Sequence, residues 1–309
     1  MLRTPMDIVA QFPVRRSKVQ KESFRSEVRT YGEKLGYSVS EEAGPFGACN
    51  LVLGDPKTAK FLVTAHYDTC ARMLLPNLGM PCNFLLSLLY RLFRLILVCL
   101  AAIVFGVAAG LLLGESLVKP TIAFVFLLLL LLRYFGPANM TNVNDNTSGV
   151  ITLLEIARTM PENQRNKVCF VLFDLEEFGL IGSAAYRKQH KEDTDNQLIL
   201  NLDCVGDGDN LLMLPTKALK KDRKKLASLY RACGYFGKKS LLLHEKGATV
   251  YPSDHRNFPY AAAICALRKK KKILYLSYIH TQKDTVLDET NVNILRAALT
   301  TFICRDEVN

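Results

Sequence analysis

Apolar residues recur at helical spacing through residues 17–35, at Val19, Phe24, Val28, Tyr31 and Leu35, in an otherwise charged stretch that Gly36 closes. Three short runs with strand character follow, at 37–40, 50–54 and 60–66. Then the pattern changes. Residues 95–113 (LILVCLAAIVFGVAAGLLL) carry no charge, about the length that crosses a hydrocarbon layer of ~30 Å. A link over 114–120 leads to a second apolar run, which spans residues 117–135 when Lys119 and Arg133 extend their charges outward at its ends. Two such segments with a tight link return the chain to the side it left.

Beyond them, strand and helix patterns alternate. Helices are predicted over 149–160, from near 182, over the basic stretch 217–233 and over 289–304. Strands are predicted over 168–174, 197–203, 211–214, 261–267 and 273–277. Continuously apolar strands between amphipathic helices predict an α/β fold: a mixed, mostly parallel central sheet with helices on both faces, interrupted by a hydrophobic helical hairpin. The expected division is 1–82 and 137–309 as two parts of one α/β domain, with 83–136 as an inserted transmembrane hairpin.

Composition narrows the partners. With 49% hydrophobic residues among 309, the chain is not disordered. Its formal charge of +11 calls for an anionic partner, and a mean hydropathy of +0.10 turns that expectation from nucleic acid to lipid. No motif for nucleic acid accompanies the charge. Arg72, Arg91, Arg94 and Arg133 flank the outer ends of the hairpin, while Lys119 alone stands in the link beside Glu115. Basic residues stay on the cytoplasmic side, so the expectation is an integral membrane protein with its α/β domain in the cytoplasm. The run 268–272 (RKKKK) reads either as a solvated turn or as a contact for anionic lipid headgroups, worth ~1 kcal/mol per basic residue. Lys217, Lys220, Lys221, Arg223, Lys224 and Lys225 either join it or form a wet helix face. Nine scattered cysteines without a CxxC pair read as small buried hydrophobes of a reducing compartment. Residues 1–20 hold no apolar run long enough for a secretory signal, which places this start in the cytosol.

Five polar endings carry the chemistry, each directly after an apolar run, where α/β folds gather their ligands. They are His66 and Asp68 in FLVTAHYDT, Asp145 in NVNDNTSGV, Glu176 and Glu177 in VCFVLFDLEEFG, Asp203 in LILNLDCVG, and His280 in SYIHTQKDT. A strand-end acid alone is most often a helix cap, and a lone histidine is most often packed or solvated. His190 and His244 read as such surface histidines. Two imidazoles and three carboxylates together make a nitrogen and oxygen donor set suited to Zn²⁺, Co²⁺ or Mn²⁺. A pair of ions needs one bridging carboxylate and two further ligands each, which uses these five and leaves Glu176 without a metal role. At a bend, one of Glu176 and Glu177 ligates while the other faces the attacking water as general base. Asp68, two residues after His66, is placed to accept the second imidazole N–H.

These blocks resemble peptidase family M28, the zinc aminopeptidases. They stand in order as His66-Tyr-Asp68, Asp145-Asn-Thr-Ser-Gly149, Glu176-Glu-Phe-Gly-Leu-Ile-Gly-Ser183, Asp203, Ser253-Asp-His-Arg-Asn-Phe258 and His280-Thr-Gln-Lys-Asp-Thr285. The resemblance implies a zinc-exopeptidase type of fold and a peptide substrate. It implies that Asp145 bridges two Zn²⁺, that His66 and Asp203 complete one site, and that Glu177 and His280 complete the other. Glu176 is then the implied base, and Tyr251 a candidate hydrogen-bond donor to the oxyanion. The 79 residues from His66 to Asp145 far exceed the family's short loop, because the hairpin lies between them. Both its ends are therefore tethered to ligands, which draws the active-site face toward the bilayer. Two other readings compete: a glutaminyl-cyclase-like acyltransferase with one zinc, whose Trp-rich pocket this chain without Trp does not match, and an inactive membrane scaffold on a peptidase fold.

Overall fold

A computed structural model describes residues 4–73, 75 and 77–305. Its strands are β1 (Val39–Ala43), β2 (Cys49–Leu53), β3 (Phe61–His66), β4 (Asn77–Gly79), β5 (Val168–Phe173), β6 (Leu198–Leu202), β7 (Asn210–Pro215), β8 (Gly234–Phe236), β9 (Lys239–Leu243), β10 (Ala261–Lys270) and β11 (Ile273–Ile279). They join in the order β1-β2-β5-β3-β6-β10-β7-β9-β8, with β11 on β10 and β4 on β11. The middle of the sheet, β5-β3-β6-β10, is parallel, and antiparallel pairs flank it. The helices are α1 (Pro5–Ala10), α2 (Lys18–Lys34), α3 (Phe84–Leu113), α4 (Val118–Phe135), α5 (Gly149–Thr159), α6 (Ile181–Gln189), α7 (Lys191–Thr194), α8 (Lys217–Lys221), α9 (Arg223–Leu229) and α10 (Glu289–Arg305).

The central strands read as unbroken apolar runs because each face meets a different core. On β5, Val168, Phe170 and Leu172 join a core with Phe24 and Val28 of α2, Leu154 of α5 and Leu299 of α10. Cys169, Val171 and Phe173 join a second core, with Tyr186 of α6 and Phe258. Helices therefore cover both faces. The basic stretch expected as one helix over 217–233 is instead split into α8 and α9. Asp222 leaves helical geometry, and its carboxylate accepts the Lys225 N–H at 3.0 Å to cap α9.

The hairpin is formed by α3 and α4, both long and apolar enough to cross a membrane by length and composition. Almost nothing of their most apolar stretches is buried, unlike the core helices that meet the same test in soluble proteins. They touch through Ala102, Gly106 and Gly110, four residues apart. A Cβ on Gly106 would lie 2.3 Å from Ile122 Cγ1, and one on Gly110 2.4 Å from Val118 Cγ2. Such close approach of small residues is how helices associate where no water drives them together. At its base the hairpin is tied to the α/β body. The Arg16 guanidinium donates to the carbonyls of Tyr134 and Gly136, and the Tyr134 and Phe135 rings pack on Phe178 at 6.1 and 5.9 Å.

Candidate metal centre

All five polar endings arrive at one place, at the carboxyl ends of the parallel strands. His66 ends β3, and its Nε2 lies 3.3 Å from Asp145 Oδ1 and 3.9 Å from Asp203 Oδ1. His280 follows β11, and its Nε2 lies 2.9 Å from Asp145 Oδ2 and 3.2 Å from Glu177 Oε2. The two oxygens of Asp145 thus face two different imidazoles. His66 Nδ1 lies 3.4 Å from Asp68 Oδ1 and 3.2 Å from the Asp68 carbonyl. The Asp68 carboxylate also accepts the N–H groups of Glu176 and Glu177, at 3.1 and 3.2 Å, so it orients the ring and the two-glutamate bend together. That bend is sharp: Leu175 sits at φ 54°, in the left-handed region.

Further residues of the Asp145 and Glu176 blocks hold the backbone in place. Asn146 donates to the Leu202 carbonyl and accepts the N–H groups of Gly149 and Cys204, clamping the end of β6 to the start of α5. A Cβ on Gly149 would lie 2.5 Å from the Leu202 oxygen, so only glycine fits there. Ser148 accepts the Val205 N–H at 3.0 Å. Gly182 lies so close to β5 that a Cβ would meet the Asp174 carbonyl at 2.1 Å. The Asp145–Asn146 peptide bond is cis.

Sequence reasoning assigned no role to Asp284. Its carboxylate accepts the N–H groups of Asn144 and Asp145 at 2.7 and 3.1 Å and so fixes the shared carboxylate; burial pushes its pKa up to about 7, with Asp145 adding to the rise. Its position in the His280 block was the available signal. Cys70 and Cys204 were also passed over. The Cys70 thiol lies with Glu177 and His280, and the Cys204 thiol with Asp145 and Asp203, each trio having donor atoms within 4.8 Å. Tyr251 lines the cavity, but its hydroxyl donates to the Asp203 carbonyl at 3.0 Å, so in this conformation its proton braces the end of β6 rather than facing a substrate.

The electrostatics are those of a cation site. Burial alone would raise Asp145, yet hydrogen bonds from His280 and His66 hold it below the usual carboxylate range. Burial opposes charge on His66 and His280, but Glu176 and Asp145 raise the first and Glu177 and Asp145 the second, well above an ordinary histidine. Burial raises Glu176 well above its ordinary value, Glu177, Asp254 and Asp203 add to it, and His66 opposes it. Glu177 Oε1 and His280 Nδ1 are buried without a hydrogen-bond partner. Two imidazoles and three carboxylates with unspent donor atoms fit zinc. A cavity of about 510 Å³ opens over the cluster. A larger one, about 910 Å³, lies at the amino ends of β3 and β6, beside Phe61 and Leu198 and away from these side chains.

Fold and site together define a zinc enzyme on a metallopeptidase fold. The model of Peptidase family M28 matches residues 133–302, more than half of the sequence, and the chain belongs to that family. Among solved structures, a Zn-dependent exopeptidase from Parabacteroides distasonis is similar at 17% identity and TM-score 0.63, covering 98% of this chain and 96% of that one. A glutaminyl cyclase from Bacteroides thetaiotaomicron is similar at 15% identity and TM-score 0.60, covering 98% and 96%. The LapA aminopeptidase of Legionella pneumophila is similar at 14% identity and TM-score 0.56, covering 98% of this chain and 69% of that one. No curated protein matches the sequence. These likenesses establish the fold, which aminopeptidases and cyclases share.

Proposed function

We propose that the protein is a membrane-anchored di-zinc aminopeptidase that removes N-terminal residues from peptides at the cytoplasmic face of a bilayer. The observation that carries this reading is the Asp145 carboxylate, whose two oxygens lie 3.3 and 2.9 Å from imidazole nitrogens brought from separate strands. His66 and Asp203 would hold one ion, Glu177 and His280 the other, and Asp145 both; Co²⁺ or Mn²⁺ suits the same donors. When bound, the ions supply Lewis acidity that polarises the scissile carbonyl and acidifies water. Glu176 also has a carboxylate oxygen within 4.8 Å of donor atoms of His66 and Asp203, and this reading gives it proton transfer there instead of ligation. Its backbone N–H is held by Asp68, it lines the cavity, and burial raises its pKa well above the ordinary glutamate value, the direction a general base needs. It takes a proton from the attacking water and returns it to the leaving amine.

The membrane part of the reading rests on α3. Its 30 residues extend ~45 Å, longer than a ~30 Å hydrocarbon layer. The first turns carry Ser87, Tyr90, Arg91 and Arg94 on one face, lining the cavity. Leu85, Leu88, Leu89, Leu92 and Phe93 are exposed elsewhere on the same turns. An apolar surface level with the cavity supports a site at the lipid–water boundary, reached by membrane-proximal substrates. The basic run 268–272 extends the same reading to anionic headgroups.

Metal analysis and hydrolysis test the proposal on the full chain in neutral-detergent micelles. Two zinc ions per chain are expected, with Glu176→Gln keeping both while hydrolysis of aminoacyl substrates falls by about 10²–10⁴-fold. One zinc per chain with cyclisation of N-terminal glutamine would overturn it in favour of the cyclase. Wild-type protein with two ions and no hydrolysis of any aminoacyl substrate would leave a scaffold.

A further inference from the structure

The cavity over the metal cluster has two electrical poles. On the sheet side stand Asp145, Glu176, Glu177 and Asp203; on the hairpin side stand Arg91 and Arg94 of α3 and Arg133 of α4. Two divalent ions would balance the four carboxylates, leaving the three arginines without a protein anion. No carboxylate pairs with Arg91, Arg94 or Arg133 among the described residues. Arg94 is oriented by neutral groups, donating to Asn77 Oδ1 at 2.8 Å and to Met73 Sδ at 3.3 Å. Arg133 lies over the Tyr134 ring at 5.7 Å, and Arg91 is exposed on the cavity side. Three guanidinium groups converging on one wall repel one another unless an anion enters. Guanidinium is the side chain that binds carboxylate in a two-pronged, geometrically selective way.

We infer that Arg91, Arg94 and Arg133 form a subsite for the substrate's terminal carboxylate, so that the preferred substrates are short peptides with a free C-terminus, dipeptides and tripeptides first. This rests on the aminopeptidase reading above. An extended chain spans ~3.3–3.6 Å per residue, so amine and carboxylate of a dipeptide or tripeptide lie ~7–11 Å apart. A space of about 510 Å³ lined by carboxylates on the sheet side and arginines on the hairpin side has room for such a zwitterion and carries the complementary charges. The hairpin then has two tasks: it holds the enzyme at the bilayer, and its cavity-facing turns select the substrate.

The test compares an unblocked dipeptide with its C-terminal amide on the full zinc-loaded chain in neutral-detergent micelles. The wild type is expected to prefer the acid by about 10–100-fold in kcat/KM, chiefly through KM. In the double variant Arg91→Gln/Arg133→Gln that ratio should fall toward one, while Arg91→Lys/Arg133→Lys recovers part of it. Equal use of acid and amide by the wild type, or an unchanged ratio in the glutamine variant, would overturn the inference. A dipeptide amide with a glutamate side chain that matches the free acid would overturn the free C-terminus as the group selected. Loss of the acid preference when anionic phospholipid is added to the micelles would give the arginines to lipid phosphate and also overturn it. If no peptide is hydrolysed, the aminopeptidase reading fails by itself. Calorimetric binding of the same pair still decides the subsite, tighter binding of the acid upholding it and equal binding refuting it.

Discussion

Strand β5 and helix α4 use nearly the same side chains for opposite ends. Every residue of β5, VCFVLF, is buried between two cores, whereas the leucine run of α4 is largely exposed. In the sheet, removal from water supplies about 25 cal/mol per Å² of apolar surface, and dense packing follows. In the hairpin no such force brings the helices together once their surroundings are as apolar as they are. Contact there depends on shape, at Ala102, Gly106 and Gly110. The difference teaches that apolar content alone does not define a core; the length of the run and the size of residues at its seam decide which solvent it meets.

Paired substitutions break this comparison most directly. Leu200, fully buried in β6, should cost ~2–5 kcal/mol when changed to Ala, because a cavity remains. Ile103, 46% exposed on α3, should cost within about 0.5 kcal/mol when changed to Ala in lipid or detergent. Denaturant or thermal unfolding in micelles measures both, and an equal loss would mean that the outer face of α3 is packed against protein. A middle case is Gly106→Leu. The new side chain collides with Ile122 and the Val118 carbonyl, so ~1–3 kcal/mol of overpacking is expected. Separating the helices also shifts the arginine-bearing wall, so a raised KM for peptides should accompany the lower midpoint. A lower midpoint with unchanged KM would separate the hairpin seam from the cavity.

What could be read from the sequence followed local pattern. The apolar strands were legible because each is continuous and ends in a polar residue, and the hairpin because its charge-free runs are long. The parallel centre followed from strand–helix alternation. The margins did not: the antiparallel strands β8 and β4 are only three residues long and carry no periodic signal, and β7 pairs with β9 in parallel. The split of 217–233 was missed because one Asp inside a basic helical pattern looks solvated until its capping bond is seen. Candidate ligands could be collected as a set, but the groups that orient them depend on long-range contact. Asp284 reaches Asp145 across 139 residues, and Asn146 reaches Leu202 across 56. The arginine wall was read only as a topology signal; its facing of the cluster follows from where α3 and α4 join the sheet.

The smallest expected effect concerns a histidine–carboxylate pair outside both regions. His190 Nε2 lies 2.9 and 3.0 Å from the two oxygens of Glu42, its Nδ1 lies 3.6 Å from Asp193 Oδ2, and its ring stacks on Tyr186 at 4.4 Å. The hydrogen bond to Glu42 is the main cause raising its pKa above the ordinary value, with Asp193 assisting against partial burial. A group whose folded pKa is raised stabilises the protein fully below its unfolded pKa of ~6.5, and the contribution is lost as pH rises through the folded value. The stability difference between wild type and His190→Gln should therefore be largest below about pH 6 and fade at alkaline pH, staying under ~1 kcal/mol because the pair keeps contact with solvent, its side chains 16% and 18% exposed. The pair His280–Glu177 has similar spacing but sits at the metal cluster, where acidification releases ions instead. Chelation should thus alter the acid limb of unfolding as a whole while leaving the wild-type minus His190→Gln difference unchanged. A difference that moves with chelator would mean that α6 and the cluster are coupled.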